Sequence, residues 1–372
     1  MKKLITICAV TAVLALLCLG GSPAFAEWTV VNLSPAGASS YAWGVSGGKQ
    51  VGEVFVSVRE YSVAHAALWS GTAASWVDLN PAGAGAQGSI AWGVSGGQQV
   101  GCAVFGDIWT GSGNYTWHAS LWSGTAASWV DLNPAGSGES CAYGVSGGQQ
   151  VGLASILPSD WDPHASLWSG SAASWVDLNP AGVWASMTYG VSGGKQVGWA
   201  LVGGAEHAAL WSGTAASWVD LNPAGSGESC AYGVSGGQQV GYARIGSVEH
   251  AGLWSGTDAS WVDLNPAEAT DSIAYGVFGG QQVGCADFGD GWHAGLWSGT
   301  AESWVDLHDL LPAGVYSFSE ARSIDVSAGE IWVAGYAGGA NAMLWHYIPE
   351  PATMALLGLG GLGLLRRKRG KA

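Results

Sequence analysis

Basic residues are scarce in this sequence of 372 residues, in which charged side chains make up only 10% of the total. Between Glu27 and Ile348 there are 26 acidic and five basic residues, which gives a formal charge of −21. A field of this sign repels phosphate backbones and argues against nucleic-acid binding, whereas neutral glycans and divalent cations are tolerated. The five basic residues are Lys49, Arg59, Lys195, Arg244 and Arg322.

Apolar runs of the roughly 20 residues that a membrane-spanning helix requires are also lacking. The mainly apolar residues 4–19 follow two lysines and precede Ala24-Phe25-Ala26, in which Ala24 and Ala26 form a small-x-small site typical of cleavage by signal peptidase. We therefore predict that residues 1–26 are a signal peptide and that the exported chain begins near Glu27. A lipoprotein anchor on Cys18 is the alternative, but two leucines precede it where such sites normally have small residues.

Glycine and tryptophan, in contrast, are abundant, with 61 and 23 residues, and they recur in a pattern. The string His-Ala-x-Leu-Trp occurs six times and a variant begins at Asn341. Each unit also contains a Trp-Val-Asp-Leu-like segment and a Gly-Val-Ser-Gly-Gly-x-Gln-Val-Gly-like segment, so seven tandem repeats fill residues 28–346. The six strings begin at His65, His118, His164, His207, His250 and His293.

Each repeat is predicted to form four short strands, which in the fifth repeat cover residues 230–235, 238–243, 250–255 and 261–264. A Ser-Gly-Gly-Gln turn joins the first two strands, because glycine accepts the positive φ angles of a tight hairpin. Four-stranded units of this length are typical of propeller blades. We predict an all-β, seven-bladed β-propeller over residues 27–347. A β-solenoid is the alternative, although its rungs are usually shorter.

The longer links follow the Trp-Val-Asp-Leu segments, so each blade is expected to begin at the Ala-Tyr-Gly-Val-Ser-like strand, nearest the axis. Residues 28–33 precede the first complete blade. They are predicted to pair with residues 321–346 as the outer strand of the seventh blade, which would remove exposed sheet edges.

The run His250-Ala251-Gly252-Leu253-Trp254, with Ala274-Tyr275-Gly276-Val277 and Gln282-Val283-Gly284 after it, resembles the HAF-type extracellular repeat. The resemblance recurs seven times across residues 28–346. It implies secretion and a propeller-like fold but no established activity. The last repeat departs from the pattern, because Asn341 replaces the histidine.

The C-terminal residues 348–372 begin with Ile348-Pro349-Glu350-Pro351-Ala352, continue with an apolar run over 353–365 and end in a basic cluster. This tail resembles a PEP-CTERM sorting signal. A short apolar helix followed by basic residues would hold the precursor transiently in the inner membrane, with its basic end in the cytoplasm. The resemblance implies processing by an exosortase near Pro349, Glu350 and Pro351, and delivery to the cell surface or extracellular matrix. An ordinary single-span anchor is the alternative, but it needs a longer apolar run.

No unique catalytic set is visible in the repeats. The six histidines would lie on different blades, too far apart to bind one metal ion, and are predicted to be structural. The repeated aspartates are expected to accept hydrogen bonds from the Asn-Pro turns that follow them. We therefore predict a noncatalytic protein without a cofactor or metal. These aspartates are Asp78, Asp131, Asp177, Asp220, Asp263 and Asp306.

Four cysteines follow the signal peptide, and two interpretations of them stay open. Cys102 with Cys141, and Cys230 with Cys285, fall in adjacent predicted blades at the same face, so two inter-blade disulfides are conceivable in an oxidising compartment. The alternative is four buried thiols.

The connections between second and third strands, and between blades, vary in sequence, whereas the other turns are nearly uniform. Strand alternation places both variable sets on one face, which could stack sugar rings on its aromatic residues. The alternative is that these loop tips fold over apolar blade edges. The candidate residues are Asp107, Trp109, Tyr115, Trp117, Asp160, Trp161, Asp162, Trp184, Asp290 and Trp292.

The sequence thus predicts an exported surface or matrix protein that binds extracellular polysaccharide. One alternative is a structural or adhesive coat component that contacts surface proteins. The other is a propeller glycosidase or lyase, for which Asp160 and Asp162 are the nearest local pair of acids.

Overall fold

The computed structural model describes residues 27–58, 60–108, 114–156 and 162–350. These residues form seven four-stranded antiparallel sheets, and their helical segments are all short 3-10 turns. The predicted seven-bladed β-propeller is confirmed, and a solenoid is not favoured. The signal peptide and most of the sorting tail lie outside the described residues.

Blades one to six are each built from four consecutive strands, counted outward from the propeller axis. The first three are β2 (Ser40–Ser46), β3 (Lys49–Val58), β4 (Tyr61–Trp69) and β5 (Val77–Asp78); β6 (Gly88–Ser95), β7 (Gln98–Gly106), β8 (Tyr115–Trp122) and β9 (Val130–Asp131); and β10 (Ser140–Ser146), β11 (Gln149–Ser155), β12 (Pro163–Trp168) and β13 (Val176–Asp177). The next three are β14 (Ser186–Ser192), β15 (Lys195–Val202), β16 (Ala205–Trp211) and β17 (Val219–Asp220); β18 (Ser229–Ser235), β19 (Gln238–Ile245), β20 (Val248–Trp254) and β21 (Val262–Asp263); and β22 (Asp271–Phe278), β23 (Gln281–Asp287), β24 (Trp292–Trp297) and β25 (Val305–Asp306).

The seventh blade combines both ends of the repeat region. Its sheet has the order β1-β28-β27-β26, formed by β26 (Ser319–Ser327), β27 (Glu330–Ala337), β28 (Asn341–Ile348) and β1 (Glu27–Asn32). Beyond β1, the backbone N–H of Leu33 donates to the carbonyl of Ala342 at 2.8 Å. The predicted closure by the N-terminal strand is therefore confirmed. Residues Thr29–Ser327 and Ile331–His346 form one compact unit.

In blades one to six the fourth strand has only two residues and follows a 3-10 turn. In the fifth repeat Asp258–Ser260 forms this turn, and Ser260 Oγ accepts the backbone N–H of Ser255 at 2.8 Å. Only Val262–Asp263 then pairs with the third strand. The 3-10 turns are Ala73–Ser75, Ala82–Ala84, Ala126–Ser128, Ala172–Ser174, Ala215–Ser217, Asp258–Ser260, Ala301–Ser303 and His308–Leu310.

The hydrophobic core lies between consecutive blades and not within them. Trp168 of blade three, for example, packs against Val100 and Leu121 of blade two. The tryptophan at or near the end of each third strand is fully buried, with 0% of its surface exposed. Burying a large ring in this way is worth about 2–3 kcal/mol per residue, which explains why every repeat keeps it. These residues are Trp69, Trp122, Trp168, Trp211, Trp254, Trp297 and Trp345.

Candidate functional site

The innermost strand of each of blades one to six contains a β-bulge at an aromatic residue. In blade five, Ala231 pairs with Gly241 and Gly233 pairs with Val240, so Tyr232 between them has no partner on the second strand. A bulge redirects the side chain of the extra residue. The six bulged residues and Arg322 of blade seven line one cavity of about 390 Å³. We call these residues the axial girdle: Trp43, Trp92, Tyr143, Tyr189, Tyr232, Tyr275 and Arg322.

A glycine after each bulged residue allows neighbouring inner strands to approach. A Cβ atom built on Gly144 would lie 2.5 Å from the carbonyl oxygen of Tyr189 in the next blade. In blade seven Ser323 takes the place of this glycine, and its hydroxyl accepts the backbone N–H of Val45 at 3.1 Å. The carboxylate of Asp325 likewise accepts the N–H of Gly47 at 2.8 Å. The seam between blades seven and one is thus held by side-chain hydrogen bonds as well as by packing.

The six rings of the girdle form a continuous series of contacts. From Trp43 through Trp92, Tyr143, Tyr189 and Tyr232 to Tyr275, successive ring centroids are 5.0 to 5.8 Å apart. Their planes are inclined to one another by 41 to 58°. These spacings are the ones at which aromatic pairs attract each other.

Arg322 completes the girdle between its first and last rings. Its guanidinium carbon lies 3.9 Å from the centroid of Tyr275 and 5.3 Å from that of Trp43. The same group forms an ion pair of 2.6 Å with Glu320 and donates to the hydroxyl of Tyr336 at 3.2 Å. Burial acts to lower the pKa of Arg322, but the neighbouring phenols and Glu320 raise it above its ordinary value. The guanidinium therefore stays charged and is neutralised locally.

Glu53 is a second carboxylate beside the girdle, on the second strand of blade one opposite Tyr41. Only 6% of its surface is exposed. Burial raises the pKa of Glu53 to about 7, and the indole of Trp43 acts in the opposite direction. Among the described residues no cation forms an ion pair with it.

We expect the substitution Glu53→Gln to make the protein more stable at pH 8 and nearly neutral in effect at pH 4. The folded state holds the Glu53 proton up to about pH 7, whereas the unfolded chain releases it near 4.5. The free energy of unfolding of the wild type therefore falls as the pH rises from about 4.5 to 7. Relative to the glutamine variant, the wild type loses about 3 kcal/mol. Denaturant unfolding of both proteins between pH 4 and 8 measures the difference. A constant difference across this range would contradict the expectation, and Glu302→Gln on an exposed turn serves as the control.

A second cavity, of about 230 Å³, opens between blades two and three. We call it the inter-blade pocket. The rings of Trp92, Trp117 and Tyr143 line it together with Glu139, and burial raises the pKa of that carboxyl. Trp92 and Tyr143 border both this pocket and the axial cavity.

The predicted cysteine pairs differ in the structure. Cys102 and Cys141 line the inter-blade pocket with their Sγ atoms 2.6 Å apart, whereas Cys230 packs beside Trp199 and Tyr242. The reason is the handedness of the ring: the second strand of one blade packs against the first strand of the next blade. Cys102 lies on the second strand of blade two and Cys141 on the first strand of blade three, so this packing brings them together. Cys230 and Cys285 have the reverse order and are not brought together; all four thiols are free and buried.

The predicted loop residues spread over several blades. Trp117 lines the inter-blade pocket, while Tyr115 and Trp184 are 43% and 66% exposed. Asp290 lies 3.6 Å from His293, and Trp292 begins the third strand of blade six. The backbone N–H of Asp107 donates to the carbonyl of Asn114 at 3.0 Å, next to Tyr115 in the sequence, and Asp162 precedes β12. Trp109, Asp160 and Trp161 lie outside the described residues.

The repeated histidines and aspartates form six separate pairs, one per blade in blades one to six. In blade four, His207 Nδ1 lies 2.9 Å from Asp220, whose other oxygen accepts the N–H of Asn222 at 2.8 Å. In blades one to five each aspartate therefore joins the third strand to the Asn-Pro turn, and in blade six Asp306 accepts the N–H of His308 instead, at 2.7 Å. Among the described residues no group of three or more histidine, cysteine or acidic side chains could hold a metal ion.

The axial girdle was missed in the sequence. The residue before the glycine of the inner strand is aromatic in six repeats, and Arg322 before Ser323 has the same place in the seventh. This recurrence is the signal in the sequence that points to the girdle. The alternation of side chains along a strand cannot show that a bulge turns this side chain toward the axis.

Solved propeller structures match the fold at low sequence identity. The β-propeller domain of the Trilobed protease from Pyrococcus furiosus aligns with a TM-score of 0.51 and 7% identity, covering 89% of this chain and 95% of that one. Pyrococcus horikoshii acylaminoacyl peptidase aligns with a TM-score of 0.51 and 10% identity over 84% of this chain. Puromycin hydrolase has a TM-score of 0.50 and 12% identity over 86% of this chain. The alignments span 52% and 59% of those two proteins, and such likeness shows the fold alone.

A search of curated proteins gave no match. None of the helical segments in the described part of the chain is long and apolar enough to cross a bilayer. Residues 348–369, however, match the PEP-CTERM protein-sorting motif. The chain therefore carries the signal of an exported, membrane-anchored precursor that an exosortase processes.

Proposed function

We propose that this protein is a noncatalytic β-propeller of the cell surface or extracellular matrix that binds extracellular polysaccharide through its variable-loop face. This face is the end of the propeller with the second-to-third connections and the links between blades. The observation that carries the proposal is the inter-blade pocket, because it combines a carboxylate with three aromatic rings, one of which is the predicted loop-face residue Trp117.

The pocket has the composition that ligand sites usually have. Apolar and aromatic surfaces predominate, and a few polar groups give orientation. The rings of Trp92, Trp117 and Tyr143 offer apolar surface for the C–H groups of a sugar, and the carboxyl group of Glu139 offers a hydrogen-bonding partner for its hydroxyls. The sorting motif and the HAF-type resemblance of the repeats support placement outside the cell, where polysaccharide is available.

We expect Trp117→Ala to weaken polysaccharide binding by the purified protein at least tenfold. Trp117 lies near the loop end of β8 and packs against Cys102, Cys141 and Leu153, so its removal takes one wall from the pocket. Thermal unfolding checks that the variant is folded. A buried aromatic anchor commonly contributes about 2 kcal/mol or more to binding. Isothermal calorimetry with the host's own polysaccharide measures this effect.

Phe278→Ser is the matched control, since Phe278 is an exposed aromatic residue at a hairpin on the opposite face. Five other repeats have serine at this position. Binding should be unchanged in this variant. The proposal fails if the wild type binds no polysaccharide, or if both variants bind as it does.

The noncatalytic part of the proposal has its own test. Incubation with the same polysaccharide should produce no new reducing ends, and their appearance would favour a glycosidase or lyase.

Adhesion to proteins is a second candidate function, favoured by a repeated apolar feature on the outer strands. One valine in each of blades one to six is 38 to 44% exposed there. Surface retention without any affinity for sugar would support this alternative. The valines are Val77, Val130, Val176, Val219, Val262 and Val305.

A further inference from the structure

We propose that the axial girdle is a binding site for an organic ammonium cation. Its six aromatic residues and Arg322 line a cavity of about 390 Å³, which differs from the inter-blade pocket although Trp92 and Tyr143 border both. Aromatic cages of this kind bind cations because each ring presents a negative face. The girdle would be a second ligand site, which shares two of its rings with the proposed polysaccharide pocket.

A cationic side chain of the protein, Arg322, already contacts the rings of the girdle. The guanidinium of Arg322 lies over Tyr275 at 3.9 Å and within 5.3 Å of Trp43. This contact shows that the ring faces accept a planar cation at van der Waals distance. Tyr143, Tyr189 and Tyr232 continue the series of rings along the cavity wall beyond Arg322, so the cavity offers further aromatic surface to a second cation.

Arg322 does not turn the cavity into an anion site. Its charge is matched by Glu320 at 2.6 Å, and Glu53 beside Trp43 adds a negative charge above about pH 7. The other described basic residues do not compensate. Arg244 is paired with Glu228 and Glu249, while Lys49 and Lys195 lie at hairpins and donate to serine hydroxyls. With 26 acidic residues in the repeat region, the field favours a cation over phosphate, sulfate or uronate.

The tyrosines of the girdle remain neutral, since burial raises the pKa of Tyr143, Tyr189, Tyr232 and Tyr275. They can therefore offer hydroxyl groups to a ligand in addition to ring faces. Two sources supply the required chemistry: a free quaternary ammonium compound, and a protonated amine of a deacetylated amino-sugar polymer. The experiment separates them.

The decisive comparison needs no variant. Choline and 3,3-dimethylbutan-1-ol have the same shape, but only choline is charged. We expect calorimetry on the purified protein to show choline binding at least tenfold more tightly than the alcohol. Equal binding, or no binding of choline, overturns the proposal.

Substitutions at Tyr232 locate the site. Tyr232→Leu removes a ring face and should weaken choline binding about tenfold, whereas Tyr232→Phe keeps the face and should bind within twofold of the wild type. Thermal unfolding checks that both variants are folded. Equal binding by both variants would show that choline binds outside the girdle, and would overturn the assignment.

Oligomers of glucosamine and of N-acetylglucosamine identify the source. Binding of the protonated oligomer, with loss in Tyr232→Leu, supports an amino-sugar ligand for the girdle. Binding of choline alone supports a free ammonium compound. Loss of polysaccharide binding in Trp117→Ala concerns the inter-blade pocket only, so failure of one proposal is distinguishable from failure of the other.

Discussion

Replacing Gly241 with alanine is expected to destabilise the propeller by about 3 kcal/mol or more. A Cβ atom at this position would lie 1.8 Å from the carbonyl oxygen of Cys230 and 2.9 Å from the Cα of Ala231. Both are backbone atoms of the bulged inner strand, so no side chain can move aside. The bulge at Tyr232 can form only because the facing second strand has no Cβ there.

Gly227→Ala is the matched control for this variant. Gly227 lies in the link before the same blade, does not have a positive φ angle and has no atom within 4 Å of a built Cβ. Its substitution should change the free energy of unfolding by less than about 0.5 kcal/mol. Denaturant unfolding of both variants measures the difference, and equal stability would contradict the close approach at the bulge.

We expect Cys102 and Cys141 to form a disulfide in the exported protein, while Cys230 and Cys285 stay as thiols. The first pair lies with Sγ atoms in contact across two blades, and the second pair does not meet. Each thiol of the first pair would give up its hydrogen to an external disulfide oxidant, which is reduced to two thiols. Burial raises the pKa of Cys141, so oxidation should take place while the blades assemble.

Closing a loop of about 40 residues in this way is worth about 4 kcal/mol in the chain-entropy model. The double variant Cys102→Ser with Cys141→Ser should therefore unfold at markedly lower denaturant concentration than the wild type. Cys230→Ser with Cys285→Ser is the control, because it removes the same number of thiols without removing a cross-link. Alkylation under denaturing, non-reducing conditions followed by mass spectrometry should count two free thiols in the mature wild type. Four would reject the bridge.

Much of the fold was predictable because the same pattern of strands and turns recurs in seven repeats. The pair Gly236 and Gly237 has φ angles of 58° and 84°, as the predicted hairpin requires. Asp220 accepts the N–H of Asn222, as expected for the turn after each outer strand. The position of Trp28 before the first complete blade was sufficient to predict closure, since an unpaired strand at one end needs a three-stranded sheet at the other.

The candidate sites were less predictable, for physical reasons that concern particular residues. Tyr232 reaches the axis only because a bulge shifts the ladder between Ala231 and Gly233, and periodicity does not show bulges. The partner of Cys230 depends on the direction in which blades follow one another around the axis. The role of Arg322 depends on Tyr275 and Trp43, which are distant in sequence and meet only when the ring closes.

The pairing of β1 with β28 also determines when the molecule can finish folding. Thr29 and His346, joined by a hydrogen bond of 3.3 Å, are 317 positions apart in the chain. During export β1 would cross the membrane first and would stay unpaired until β28, in the last repeat, has also crossed. The final strand of the propeller ends at Ile348, where the sorting motif begins. The seventh blade is therefore completed at nearly the same time as the sorting signal arrives. A chain that stalls or is cut earlier has an incomplete seventh blade, the blade that contains Arg322.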